Sequence, residues 1–173
     1  MIREYLADTG QAIARVDVGE LDNAISMIKK VRANGGMVWV VGNGGSASTA
    51  EHFANDLIKM GNVRAIAVNS LLPAVLAYGN DNGWDRMYAD LLVELRKDGD
   101  LLVAISCSGN SANVVKAATL FHHNSLIVMT GCKYDSELAV MDADAKIFVP
   151  DDDIRIQEDV HMAVCHVIAG ELK

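Results

Sequence analysis

Five short runs of apolar, largely β-branched residues recur along the chain, and stretches with helical spacing lie between them. The runs are Val38 to Val41, Ala65 to Val68, Leu101 to Ile105, Leu126 to Met129 and Lys146 to Val149. Strands buried on both faces read this way, without polar alternation. Helical segments fall near Ser48 to Met60, Trp84 to Arg96, Asn113 to His122, Ser136 to Met141 and Ile154 to Leu172. This alternation predicts an α/β fold, a parallel sheet with helices on both faces. Ahead of it, Leu6, Ile13, Val16, Leu21, Ile25, Ile28 and Val31 recur at helical spacing. They predict one or two helices, closed by Asn34-Gly35-Gly36. No repeat or linker interrupts the pattern, so the expectation is a single domain, with N-terminal helices over 1–34 and an α/β core over 35–173.

Charge and cysteine usage exclude several functions. A net charge of −8 argues against nucleic-acid or anionic-membrane partners. An anionic ligand must then be drawn by a local site. No apolar run is long enough to span a bilayer, and MIREYLADTG has no signal-like apolar core. Cys107, Cys132 and Cys165 form neither a disulfide framework nor a metal knuckle. Three reduced thiols in a cytoplasmic protein are expected.

In a parallel sheet, ligands sit at the carboxyl ends of the strands. Two turns there are unusual. The first, Gly42-Asn43-Gly44-Gly45-Ser46-Ala47, matches the GxGxxA dinucleotide fingerprint. That fingerprint also needs an acidic residue at the end of the second strand, which here ends at Asn69-Ser70. No GK[ST] follows the glycines, so a nucleoside triphosphate loop is excluded too. No nucleotide cofactor is expected. The second turn, Ser106-Cys107-Ser108-Gly109-Asn110-Ser111, places three hydroxyls within six residues before a helix. Hydroxyls and helix N-terminal amides are neutral donors suited to phosphate oxygens. Helix capping explains one serine, or two with a turn, and leaves the third over. Ser46 adds a fourth hydroxyl from the first turn.

At these residues the chain resembles the sugar isomerase (SIS) domain family, and within it the phosphoheptose isomerases acting on sedoheptulose 7-phosphate. The matching segments are GNGGSA…EHFA (Gly42 to Ala54), YGNDNGWD (Tyr78 to Asp85), GDLLVAISCSGNSANVVKA (Gly99 to Ala117) and EDVHMAVCH (Glu158 to His166). The resemblance implies a five-stranded, doubly wound, flavodoxin-like sheet sandwiched by helices. It implies a homo-oligomer, usually a tetramer, with active sites at subunit contacts. It assigns the sugar phosphate to Ser46, Ser106, Ser108 and Ser111, with Asn43, Gly44, Gly45 and Cys107 of the two turns around it. It adds Asn80 and Asp81 as sugar-hydroxyl contacts, although a GND sequence is also plain turn chemistry.

Aldose–ketose isomerisation needs a base that takes and returns a carbon-bound proton, and an acid or metal to stabilise the oxyanion. His52 and Asp56 are four apart and share a helix face. Glu158 and His166 are eight apart, about 80° around a helix at ~100° per residue. The resemblance makes these four the active centre, with Asp56, Glu158 and His166 catalytic and all four able to bind zinc. Asp56 stands where the family has glutamate, and Cys107 where it has threonine. Glu158 aligns with a glutamine, for which Gln157 is the alternative match. His161 lies near the same face and reads as a hydrogen-bonded core residue. His122 and His123 read as a helix C-terminus, and Asp151 to Asp153 as a solvated entry to the last helix. The expected function is a phosphosugar aldose–ketose isomerase. The rival is a non-catalytic phosphosugar-binding module, which would have little need of the helix-borne ionisable set.

Overall fold

The computed structural model describes residues 2–123 and 125–173. Five parallel strands form one sheet: β1 (Val38–Val41), β2 (Ala65–Ala67), β3 (Leu101–Ser106), β4 (Leu126–Thr130) and β5 (Ala145–Phe148). Their order is β2-β1-β3-β4-β5. The central strands β1, β3 and β4 are buried at every residue, whereas the edges β2 and β5 alternate. The five apolar runs of the sequence are these strands.

Helices α1 (Ile2–Ala14), α2 (Val18–Ala33), α3 (Gly45–Lys59) and α8 (Ile154–Gly170) cover one face. They meet the strand side chains Val38, Val40, Leu101, Val103, Ile127 and Met129 in one core. Helices α4 (Leu72–Asn82), α5 (Met87–Leu95), α6 (Ala112–Ala118) and α7 (Glu137–Val140) cover the other. There Trp39, Val41, Leu102, Ala104, Leu126 and Val128 face them. The alternation of side chains along each strand separates the two cores. Asp100 locks the start of β3 to β1: its carboxylate accepts from Met37 N, Trp39 Nε1 and Lys97 N at 2.8, 2.9 and 2.9 Å.

Several boundaries depart from the sequence reading. β2 stops at Ala67, and Val68–Ser70 form a 3-10 turn. The segment expected from Trp84 becomes helical only at Met87. α6 ends at Ala118, so His122 and His123 lie beyond it and do not close a helix. Backbone bonds from Leu120 to Ala117 and from Phe121 to Ala118 tighten the chain there, and Phe121 turns into the core. The sequence pattern predicts no helix where α4 forms. Its sequence LPAVLAYGNDN carries turn-formers in the last turn, and its apolar residues include the exposed Leu72 and Leu76. No 3.6-residue stripe therefore marks it.

The strand order reverses between β1 and β3, which leave the sheet side by side in opposite-going connections. Such a switch point opens a crevice at the carboxyl ends. The glycine turn follows β1 and the serine turn follows β3, so the fold delivers both to that crevice.

Candidate active site

The glycine turn makes a close approach that side chains would block. A Cβ on Gly42 would lie 2.5 Å from the Ser46 carbonyl oxygen, and one on Gly45 would run into the Glu158 carboxylate. Gly44 has φ +54°, in the region that favours glycine. α3 starts at Gly45 without a side-chain cap, leaving its first amides open at the crevice. Ser46, in its first turn, is buried.

The serine turn curls its hydroxyls together. Ser106 Oγ lies 3.0 Å from Ser111 Oγ and 3.4 Å from Ser108 Oγ. Ser111 occupies the N-cap position of α6, yet its side chain makes no capping bond. Capping therefore does not account for these serines. Ser108 Oγ accepts from Asn110 N at 3.2 Å. Gly109, at φ +66°, lets the turn pass over Ser136. Together with Asn43, Ser46, Ile154 and Glu158, the turn lines a cavity of about 120 Å³. A larger cavity, about 420 Å³, lies at the opposite end of the sheet. Chemistry, not size, makes the smaller one the candidate, because four hydroxyls converge on it.

Residues beyond the hydroxyl and glycine donors hold the two turns in place. Asn43 and Asn113 exchange side-chain amide bonds at 2.8 and 3.0 Å, joining the glycine turn to α6. Asn113 is fully buried. Tyr88 donates to Gly42 O at 2.9 Å, and burial pushes its phenol up to about 12. His161, also fully buried, donates from Nε2 to Thr130 O at 3.2 Å. That bond leaves Nδ1 to accept from Cys107 Sγ at 3.9 Å. Burial lowers the imidazole to about 4 and raises the Cys107 thiol to about 11, so both are neutral. His161 is thus the hydrogen-bonded core residue expected. The Cys107 thiol thus turns toward His161, beneath the cavity that the serines line. Nothing in the sequence marks Asn113 or Tyr88 as a brace, although Asn113 falls within the serine-turn segment: an asparagine inside a helix and a tyrosine on an apolar one look like ordinary helix residues.

A second cluster forms farther along the same helices. His52 Nε2 and Asp56 Oδ2 are 3.3 Å apart. His166 Nε2 lies 3.0 Å from His52 Nε2 and 3.8 Å from Asp56 Oδ2. The three ligand atoms fall within 4.8 Å of one another. Asp56 is buried and steadied by Asn55 Nδ2 at 3.2 Å, whereas the two imidazoles are half-exposed. Glu158 does not join them. It lies at the serine cavity, one end of a shared track: Gly45 meets Glu158, and His52 meets His166. α3 and α8 therefore run parallel, and the two sites are roughly 10–12 Å apart at ~1.5 Å per residue. Gln157, the alternative match, is buried against Gly131 and donates to Asp151 O at 2.7 Å, away from both sites. Asn80 and Asp81 end α4, bonded to each other at 2.9 Å, and do not line the serine cavity. They sit in a helix end, not in the free-standing turn expected. Asp153 caps α8 through Arg155 N at 2.9 Å, as its entry loop suggested.

The donor set of two imidazole nitrogens and one carboxylate oxygen, half open to solvent, fits a catalytic zinc site with a position left for substrate or water. His52, Asp56 and His166 are the residues that would hold such an ion.

The chain matches the model of the SIS domain over residues 4–130. It is 32% identical to the phosphoheptose isomerase of Shewanella frigidimarina over 185 aligned positions, covering 99% of this chain and 92% of the relative. It is 33% identical to that of Methylibium petroleiphilum over 172 positions, covering 94% and 85%. The solved phosphoheptose isomerase of Neisseria gonorrhoeae superposes with a TM-score of 0.89 at 30% identity, covering 99% of this chain and 95% of that one. That of Francisella tularensis gives 0.90 at 26% identity, with the same coverage. Two turns of the SIS type at a switch point, and this likeness along nearly its whole length, place the chain in the SIS domain family, among the phosphoheptose isomerases.

Proposed function

We propose that this chain interconverts sedoheptulose 7-phosphate and the corresponding aldoheptose 7-phosphate through an enediol. The observation that carries the reading is the pairing of two unlike sites on one helix track. A cavity of four hydroxyls, with Glu158 at its rim, lies roughly 10–12 Å from a His–Asp–His cluster, by the ~1.5 Å rise of a helix. An extended seven-carbon phosphate, with single bonds of ~1.5 Å, spans roughly 10 Å. Its phosphate in the serine cavity would bring carbons 1 and 2 to the cluster.

At the cavity, Ser46, Ser106, Ser108 and Ser111 donate hydroxyl hydrogens to the phosphate, and the open amides of α3 face its charge. At the cluster, a carboxylate takes the proton from carbon 1 of the ketose. The carbonyl oxygen at carbon 2 gains a proton, giving the enediol. Loss of the hydroxyl proton at carbon 1, with protonation of carbon 2, completes the aldose. Asp56 and Glu158 are both candidates for the base, and its position in the cluster favours Asp56. With no ion bound, His166 protonates oxygen or relays the proton, a role suited to imidazole. When bound by His52, Asp56 and His166, zinc would supply Lewis-acid stabilisation of the oxyanion. Glu158, at the cavity, would face the middle of the sugar and lies too far along the track to be a ligand of that ion.

The whole chain acts as one domain in this reading, supported by the single core that α1 and α2 share with α3 and α8. It assembles as a homotetramer with sites at subunit contacts. Exposed Ile2, Leu6 and Ile13 on α1, and Leu72 and Leu76 on α4, support burial against further copies. Asn80 and Asp81 then serve a site completed across such a contact. Three free cysteines support a cytoplasmic setting, and no helix among the described residues is long and apolar enough to cross a membrane.

The test is to incubate the protein with a panel of ketose phosphates in deuterated water, with and without zinc, and follow aldose formation. Heptose product, with deuterium at the carbon that gains a proton, is expected. Binding without turnover or exchange under any metal condition overturns the enzyme reading.

A further inference from the structure

A second cavity, about 420 Å³, opens at the amino ends of β3 and β4, the end of the sheet opposite the serine turn. It is lined by Lys30 from the last turn of α2, Arg96 at the end of α5, Lys97, and the imidazoles of His122 and His123. Among the described residues, no ion pair reaches Lys30, Arg96 or Lys97. Two carboxylates also line the cavity, Asp98 and Asp100. Those of Asp100 are taken up by Met37 N, Trp39 Nε1 and Lys97 N. Arg96 is the most constrained of the cations. Its guanidinium carbon lies 5.5 Å from the centre of the Phe121 ring, and its Nε is buried without a hydrogen-bond partner. A buried unpaired donor is costly, and a guanidinium held over an aromatic face is set to receive an oxyanion.

On a chain of net charge −8, three cations outside any ion pair, against the two carboxylates Asp98 and Asp100, leave this cavity positive by one charge, a local reversal of field. The volume is in the range of small-molecule sites. We propose that this cavity is a second anion site, taking a small metabolite that carries a phosphate or pyrophosphate group. Arg96 holds the oxyanion from its stacked position, and Lys30 and Lys97 close on it from either side. The site is separate from the serine cavity, with the length of β3, roughly 20 Å at ~3.3 Å per residue, between them.

Calorimetric titration with inorganic pyrophosphate tests it, on the wild type, on Lys30→Gln/Lys97→Gln and on Ser108→Ala/Ser111→Ala. The lysines are exposed, so their replacement spares the fold; Arg96→Gln is added with a thermal-melting control. Two sites per chain are expected in the wild type. The lysine variant should weaken one at least tenfold while isomerase turnover stays at the wild-type level. The serine variant should weaken the other. One site, lost only in the serine variant, overturns the proposal, as do two sites unchanged in the lysine variant or no binding at all. One site, lost only in the lysine variant, keeps it and counts against the serine cavity instead.

Discussion

The serine cavity and the His52–Asp56–His166 cluster share the helices α3 and α8 but are built on opposite principles. In the cavity, Ser46 and Ser106 are 5% and 4% exposed, and the hydroxyls already touch one another. In the cluster, the His52 and His166 side chains are 48% and 53% exposed around a nearly covered carboxylate. A phosphate is the same on every sugar phosphate, so its donors can be fixed in advance and braced by Asn113, Tyr88 and His161. The reacting carbons need groups that exchange protons, or hold an ion, as the substrate arrives. Those groups must stay reachable.

The sharpest way to break the comparison is His166→Ala. If the cluster does the chemistry and the cavity the binding, turnover should fall roughly 10²–10⁴-fold, the worth of a general acid–base group. Phosphate affinity measured by calorimetry should stay near the wild-type value. Equal losses in both would merge the two regions into one functional unit.

Acid attacks the braced side. His161 has its pKa lowered from 6.5 to about 4 by burial. Above pH 6.5 it is neutral in both folded and unfolded chains. As pH falls from 6.5 to about 4, the unfolded chain binds a proton that the folded one refuses, so stability is lost over that window. The loss from this residue is on the order of 3 kcal/mol, and it levels off below the folded value. Urea midpoints followed from pH 7 to pH 4 should show a shallower slope in His161→Gln than in the wild type. An unchanged slope would remove His161 as the acid-sensitive brace.

Ser108→Ala sharpens the binding side. It should weaken phosphosugar affinity by roughly 1–3 kcal/mol, the cost of one charge-assisted hydrogen bond, with turnover at saturation largely kept. A fall in kcat with KM unchanged would assign the serine turn to chemistry instead. The smallest effect is expected from Cys107→Ser, whose side chain meets His161 at 3.9 Å rather than the ligand. Affinity should move by less than about 1 kcal/mol, the worth of one neutral hydrogen bond, and a larger change would give that side chain a contact with the substrate.

Much of this architecture was legible in the chain. Strands buried on both faces must be apolar throughout, so β1, β3 and β4 announced themselves, and the hydroxyl-rich and glycine-rich turns could only follow them. His52 and Asp56 were readable as a pair because four residues make one helical turn. α4 is not, because a helix with apolar residues on its exposed side shows no stripe, and the GND sequence with Asn80 and Asp81 reads as a turn. The end of α6 is hidden too, because Phe121, which turns inward just beyond it, looks like one more helical residue.

What the sequence determined by itself, then, was local: which segments are strands, which turns carry donors, which residues share a helix face. The grouping of those residues was decided by the tertiary structure. Glu158 and His166 were expected to act together, yet parallel packing of α3 on α8 sends Glu158 to the serine cavity and His166 to His52. The clasp of Asn43 on Asn113 and the second cavity around Arg96 belong to the same class. Helix periodicity fixes direction around one axis only. How far along its neighbour each side chain lands depends on how two helices are set against the sheet between β1 and β3, and that is settled by packing over the whole core.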